Sequence, residues 1–365
     1  LMTKARDLAD FLGDNTSLNT INNAYAAGTL VPSSTNPSLI INGAMQVAQR
    51  GTTSTSDEYQ TVDRFRTSNA GLNEVVTQEH HTLTSSGDTE VWNLGFRKSY
   101  KQTNGNQTSV DADDRVTMQY RIEGQDITNS SWNYASSSSD VTLSFWCKSS
   151  VAQNFYARLQ SYGSANQVYV IETGSLTANT WTKITKTIPG ASAVAFENNN
   201  SLGALLEFVM FRGTNKTGTR ALNVWEAYDT NVRVPDMDST WYTTNDATFE
   251  ITGVKLEVGS EATDFQHTSY GEELEKCQRY YRDATDADLS IESFNVTSGD
   301  NHYRTITLSP EMRTEPTITF TSQSHSGFDG LTVFRPYKGR FSFYDVATVT
   351  GRGTLQYSWT ADAEL

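Results

Sequence analysis

Charged residues and cysteines are both scarce in this 365-residue chain. Charged residues make up 19% and hydrophobic residues 36%, both below the usual composition of soluble domains. The two cysteines, Cys147 and Cys277, fit neither a zinc site nor a Cys-x-x-Cys motif, and their apolar surroundings predict buried free thiols. No apolar run approaches the roughly 18 residues of a membrane-spanning helix, so we expect no membrane span and no cleaved signal peptide.

Sequence motifs for catalysis are missing as well. The chain has no G-x-S-x-G nucleophile motif and no H-E-x-x-H zinc motif. Residues 213–219 resemble a phosphate-binding loop until Thr219 stands where lysine is required. We interpret the pair His80–His81 as part of a polar strand edge or loop. The sequence therefore predicts a protein that is not an enzyme and has no cofactor.

Basic residues are outnumbered by acidic ones. Lys and Arg total 28 and Asp and Glu total 42, which gives 28 − 42 = −14. An acidic surface repels phosphates, so we expect no nucleic-acid partner. The acidity is instead typical of a large assembly that must stay soluble.

Two groups of carboxylates remain as candidate sites. Asp111, Asp113 and Asp114 could hold a structural calcium ion through hard oxygen ligands, although Val116 occupies the glycine position of an EF-hand. Asp236 and Asp238 could supply the acid and base of a glycosidase. In both groups the alternative is an ordinary acidic loop, and sequence spacing cannot give the distance between the carboxylates.

Aromatic residues, in contrast, are plentiful at 11%, which argues against a disordered chain. From Leu39 to Thr268 apolar and polar residues alternate, as in Val141, Leu143 and Phe145. About ten strands separated by polar loops predict an all-β jelly-roll sandwich over residues 39–268. Gly253 interrupts one of these strands and predicts a bulge.

The regions on either side of this body differ from it. Residues 1–38 combine a short amphipathic helical pattern over residues 3–12 with an extended linker, and we interpret them as an attachment and oligomerisation segment. Residues 269–282 predict a connecting helix, because Ser269 and Glu272 form a capping box. Residues 283–365 return to the strand pattern and predict a small C-terminal β-sandwich at the tip.

Several aromatic residues lie in polar loops or beside glycines. Flat rings next to amide and hydroxyl groups suit sugar binding, because the ring stacks on the sugar while polar groups bind its hydroxyls. The alternative is that these rings belong to the core or to subunit contacts. The candidate receptor-binding residues are Trp132, Tyr134, Tyr162, Trp241, Tyr242, Phe328 and Tyr337.

A series of short segments resembles bacteriophage tail-fibre and virion structural proteins. The segments are Leu39 to Gly51, Val62-Asp-Arg-Phe65, Leu143 to Ser149, Thr180 to Ile184, Phe249 to Ser260 and Tyr270 to Tyr281. The middle of the chain also resembles jelly-roll carbohydrate-binding modules, and Met312 to Thr317 resembles the terminal domain of some fibres. The resemblance implies a lectin-like sandwich on an external virion appendage, commonly trimeric.

Three hypotheses follow from these observations. The first is a homotrimeric tail fibre or spike, anchored to other virion proteins by its N-terminus, which binds host surface glycans. The second is a purely structural virion protein, such as a head fibre or decoration protein. The third is a polysaccharide depolymerase carried on the fibre, which needs two carboxylates about 5–10 Å apart in a groove.

Overall fold

The computed structural model describes residues 37–284 and 290–365. The predicted attachment segment, residues 1–38, lies outside the described residues except for its last two positions. No helix of the described part of the chain is long and apolar enough to span a membrane.

Residues 53–258 contribute twelve strands. They are β1 Thr53–Ser54, β2 Phe65–Thr67, β3 Thr77–Thr82, β4 Lys98–Thr103, β5 Arg115–Glu123, β6 Asp140–Ser149, β7 Asn154–Ser161, β8 Gln167–Ser175, β9 Thr182–Pro189, β10 Leu202–Arg212, β11 Trp225–Ala227 and β12 Thr248–Val258. Short helices interrupt them at α1 Thr89–Asn93, α2 Gly124–Thr128 and α3 Thr240–Thr243, and a 3-10 turn covers Thr214–Lys216.

These strands form two six-stranded sheets. The first sheet has the order β1-β3-β4-β12-β6-β9, and the second has the order β11-β8-β7-β10-β5-β2. Within them, β4-β12-β6-β9 and β5-β10-β7-β8 are connected as in a jelly roll, with antiparallel neighbours throughout. The predicted jelly-roll sandwich is confirmed.

The core lies between the two sheets because alternate residues of each strand point inward. Phe145 of β6 meets Phe208 of β10 from the opposite sheet, with ring centroids 4.9 Å apart. Burying each such side chain stabilises the fold by about 1.5–3 kcal/mol. The same strand β6 buries the thiol of Cys147, and both cysteines are free and buried as predicted.

One local feature of the sequence behaves as predicted and one does not. The register of β12 against β6 shifts between Thr252 and Lys255, which places the expected bulge at Gly253. The pattern at residues 92–101 predicts a strand, but α1 extends to Asn93 and β4 begins at Lys98. Gly95, with a φ of 94°, turns the chain between them.

The connecting helix is α4, Tyr270–Gln278, and the capping box of Ser269 and Glu272 is present. It buries Glu273 and Cys277. The sequence spacing places Tyr270 on one helical face with Cys277. Tyr270 is the first residue of the helix, however, and is 56% exposed.

The C-terminal unit has seven strands: β13 Tyr281–Asp283, β14 Ser290–Val296, β15 Asn301–Thr307, β16 Thr317–Ser326, β17 Thr332–Tyr337, β18 Arg340–Val346 and β19 Gly351–Asp362. One sheet is built on β19, which pairs with β16 on one side and with β13 and β14 on the other. The second sheet has the order β15-β18-β17. Rings from both sheets fill the core, and the Phe343 and Tyr357 centroids are 5.1 Å apart. This small sandwich confirms the predicted C-terminal fold.

Buried charges join the two sandwiches. Arg64 of the jelly roll forms an ion pair with Glu364, and its guanidinium lies 3.4 Å from the centre of the Tyr280 ring. Glu123 at the end of β5 accepts hydrogen bonds from the Tyr280 hydroxyl at 2.6 Å and from Arg279 at 2.9 Å. Because these partners come from both units, the junction fixes the C-terminal sandwich against the jelly roll.

Candidate functional site

Four of the predicted ring residues are buried in hydrophobic cores. Trp132 and Phe328 are 4% exposed, and Trp241 and Tyr242 are fully buried. The indole N–H groups of Trp132 and Trp241 donate to the backbone carbonyls of Ser139 and Thr248, each at 3.0 Å. This corrects the expectation of exposed rings at these positions, because none offers a free face to a sugar.

The other three predicted rings reach the surface in different places. Tyr134 and Tyr162 are half-buried at the jelly roll, where Tyr134 packs edge-on against Phe196 with centroids 5.0 Å apart. Tyr337 lies at the end of β17 in the C-terminal sandwich and is 49% exposed. Tyr337 therefore belongs to a different surface from the other two.

The acidic candidates take part in loop structure. The Asp114 carboxylate accepts from the backbone N–H of Asp111 at 2.6 Å, and Asp113 accepts from the side chain of Asn215 at 2.9 Å. Asp236 accepts from the Thr217 hydroxyl at 2.8 Å. Within residues 37–284 and 290–365, no group of three or more His, Cys, Asp or Glu side chains is arranged to hold a metal ion.

The outer side of the second jelly-roll sheet is closed by a long segment, residues 213–239. The segment packs apolar side chains on this side of the sheet: Leu222, Tyr228, Val234 and Met237 contact the group of Tyr156, Val168, Val170 and Val209. Arg220 connects distant parts of this segment, because its guanidinium donates hydrogen bonds to the carbonyls of Val232 at 2.8 Å and Ala227 at 3.1 Å. Beneath it Arg158 and Glu207 are buried. A ligand therefore cannot reach the middle of this sheet.

The outer face of the three-stranded sheet β15-β18-β17 carries an open aromatic surface, which we call the aromatic face. It contains Tyr303, Phe334 and Tyr344, one ring from each strand. The centroid of Tyr303 is 5.8 Å from that of Phe334 and 5.5 Å from that of Tyr344. Tyr303 is 60% and Phe334 45% exposed. Large rings clustered in solvent are typical of a binding surface.

The strand pairing explains why these rings meet. Tyr303 and Tyr344 are directly opposite each other, so their side chains share one face of the sheet. The register of β17 shifts between Val333 and Arg335, and the extra residue of this bulge is Phe334, which contacts both tyrosine rings.

Polar groups surround the three rings. The hydroxyls of Thr305 and Ser342 lie 2.8 Å apart on the same face. The guanidinium of Arg335 lies 4.5 Å from the centre of the Phe334 ring, and that of Arg340 lies 5.7 Å from the centre of the Tyr337 ring. The aromatic face thus combines flat apolar surface with hydroxyl and guanidinium groups.

Sequence reasoning missed Tyr303, Phe334 and Tyr344. The alternation of β15 could have indicated Tyr303. In a strand Tyr303, Thr305 and Thr307 lie on one face, which is polar, while the apolar Ile306 lies on the opposite face. No comparable signal marks Phe334, whose position follows from the bulge.

The fold defines the chain as a jelly-roll β-sandwich with an added small β-sandwich. No protein-family model matches the sequence, and no curated protein matches it. Similar solved structures include a putative sugar binding protein from Bacteroides thetaiotaomicron, which has 10% identity and a TM-score of 0.35 and covers 61% of this chain and 100% of that chain. The enzymatically active domain of bacteriophage CBA120 tailspike protein 4 has 10% identity and a TM-score of 0.29 over 61% of this chain and 21% of that chain. A family 11 carbohydrate-binding module of Clostridium thermocellum has 13% identity and a TM-score of 0.28 over 57% of this chain and 96% of that chain. The assignment of the fold therefore rests on the strand order of this chain.

Proposed function

We propose that this protein is a homotrimeric, non-enzymatic component of an external bacteriophage appendage that binds host surface glycans. In this proposal residues 1–38 attach the protein to other virion proteins, and the aromatic face of Tyr303, Phe334 and Tyr344 meets the glycan. The observation that carries the proposal is a cluster of three rings on the outer face of one sheet, of which Tyr303 and Phe334 are exposed and Tyr344 is half-buried. The segment resemblance to phage fibre proteins supports the place on the virion.

The chemistry of the aromatic face suits a carbohydrate. A sugar ring presents apolar C–H groups on its faces, which pack on the tyrosine and phenylalanine rings. Its hydroxyls can exchange hydrogen bonds with Thr305, Ser342 and the guanidinium of Arg335. Because the rings project from paired strands, little conformational entropy is lost when a ligand binds.

A shallow face of this kind binds one sugar weakly. Three copies in a trimer, and several trimers on one particle, raise the effective concentration of binding sites. Such linkage can strengthen attachment by about 10² to 10⁴. Weak single sites are therefore compatible with firm adsorption.

A glycan array probed with the full-length protein tests the proposal. We expect signal on a subset of bacterial surface glycans and a loss of about tenfold or more in Tyr303→Ala and in Phe334→Ala. Tyr270→Ala is the matched control, because Tyr270 is equally exposed but lies on α4. This variant should bind like the unchanged protein.

Two results would contradict the proposal. One is the absence of any glycan signal, or a signal that all three variants leave unchanged. The other is that light scattering finds a trimer for the unchanged protein and a monomer for Tyr303→Ala. The aromatic face would then be an interface between copies, which favours a purely structural virion protein.

A further inference from the structure

A second cleft lies on the jelly roll, on the outer side of the first sheet. Its floor is formed by Trp146 and Ser144 of β6, whose neighbours Phe145 and Cys147 point into the core. Lys183 of β9 pairs directly opposite Trp146, so its side chain rises beside the indole ring. The indole is half-buried and lines the cleft.

Two chain segments form the walls. Leu94 and Phe96 come from the turn before β4, and Phe265 comes from the segment that follows β12. The Phe96 and Phe265 rings meet edge to face, with centroids 5.1 Å apart. Gly253 permits this arrangement, because a Cβ there would lie 2.7 Å from the Phe96 ring.

A buried ion pair holds the second wall in position. Lys255 and Glu257, both on β12, are 2.9 Å apart and are buried. Glu257 accepts from the backbone N–H of Thr263 at 2.9 Å and from its hydroxyl at 2.6 Å. The ammonium of Lys255 also donates to the carbonyl of Asp264 at 3.2 Å. The cleft is therefore formed before any ligand arrives.

Two charged side chains at the rim have no partner of their own. Lys183 and Asp264 are both exposed and line the cleft. Across residues 37–284 and 290–365, neither forms an ion pair or a side-chain hydrogen bond. Together they contribute one positive and one negative charge, so the rim is neutral overall.

We propose that this cleft binds a single neutral hexopyranose unit, at a site separate from the aromatic face. The indole of Trp146 packs on the apolar face of the sugar ring. The Asp264 carboxylate accepts from sugar hydroxyls, and the Lys183 ammonium donates to them.

The cleft encloses about 270 Å³. This is below the roughly 300–1,000 Å³ of pockets for drug-sized ligands and fits one sugar rather than an oligosaccharide. A sugar carboxylate would be attracted by Lys183 but repelled by Asp264.

The test is saturation-transfer difference NMR on the full-length protein with methyl glycosides of glucose, galactose and mannose, and with methyl glucuronide as the acidic arm. We expect saturable binding of at least one neutral glycoside. Lys183→Ala and Asp264→Ala should weaken that binding by about tenfold, because each removes charge-assisted hydrogen bonds. Trp146→Ala should abolish it. Lys186→Ala is the control on the same strand, since Lys186 is half-buried, lies opposite Leu143 and so points to the other side of the sheet.

Binding of the glucuronide alone would overturn the proposal, and so would the absence of saturable binding by every glycoside. Equal binding by Lys183→Ala, Asp264→Ala and Lys186→Ala would also overturn it. Since Lys183 and Asp264 are exposed, these variants remain informative if Trp146→Ala does not fold. Tyr303→Ala should retain the monosaccharide signal, which separates a failure of this site from a failure of the aromatic face.

Discussion

At the scale of single residues, buried charges on the outer side of the second sheet pair with one another beneath the covering segment. Glu207 is fully buried and accepts hydrogen bonds from Gln119 at 2.8 Å, from Arg212 at 2.8 Å and from Arg158. Burial alone would raise the pKa of Glu207, but the two guanidinium groups outweigh it and hold that pKa well below its ordinary value. The carboxylate therefore stays ionised in the folded protein.

Glu207→Gln should destabilise the protein by about 3–5 kcal/mol, because it leaves Arg158 and Arg212 buried without a counter-charge. Urea unfolding at neutral pH measures this difference. Glu261→Gln is the control, since Glu261 is exposed, and it should change the free energy of unfolding by less than about 0.5 kcal/mol. A loss below 1 kcal/mol for Glu207→Gln would mean that the arginines find other partners.

At the scale of elements, the bulge in β12 shapes the Trp146 cleft. Gly253 has a φ of 62°, a conformation that costs other residues about 1–2 kcal/mol. Because Gly253 has no Cβ, the Phe96 ring can pack against it and line the cleft. One glycine thus links a strand irregularity to the shape of a surface site.

Gly253→Ala should lower the free energy of unfolding by at least about 2 kcal/mol, through backbone strain and displacement of Phe96. Gly271→Ala is the matched control, because a Cβ at this position of α4 meets no atom within 4 Å. That variant should be neutral or slightly stabilising, since alanine favours a helix. Thermal unfolding of the two variants side by side gives the comparison, and equal stability would contradict this account of the bulge.

At the scale of the whole molecule, the junction between the two sandwiches contains a buried carboxyl group with a raised pKa. Asp63 is buried, and its two oxygens accept from the backbone and the side chain of Gln49. Burial raises the pKa of Asp63 from 3.8 to about 6, although Arg50 and Gln49 oppose the shift. The folded state therefore binds a proton more tightly than the unfolded state does.

The consequence for stability follows from proton binding. Between about pH 4 and pH 6 the folded protein holds more protons at Asp63 than the unfolded chain, so raising the pH across this window costs stability. The free energy of unfolding that the raised pKa of Asp63 contributes at low pH, and that is lost by pH 7.5, is about 3 kcal/mol. We expect the free energy of unfolding of the unchanged protein, minus that of Asp63→Asn, to fall by about 2 kcal/mol from pH 4 to pH 7.5, because a small part of the total is already lost at pH 4. Urea titrations of both proteins measure it, and a difference that stays constant with pH would contradict the prediction.

Local patterns in the sequence determined much of the fold. Alternation along strands such as β6 predicts the sandwich, because side chains of a strand point to opposite faces whatever its partners are. The capping box at Ser269 and the bulge at Gly253 were predictable for the same reason, since each depends on residues close together in the chain.

The tertiary structure alone decided which rings are exposed. Trp132 and Trp241 lie in polar stretches of sequence, yet the folded loops bury them and give their indole N–H groups backbone partners. Tyr303 and Tyr344 become neighbours only through the register of β15 and β18, and Trp146 and Phe265 line one cleft only because the chain after β12 returns over the sheet. Exposure depends on what covers a residue, and the covering segments are distant in sequence.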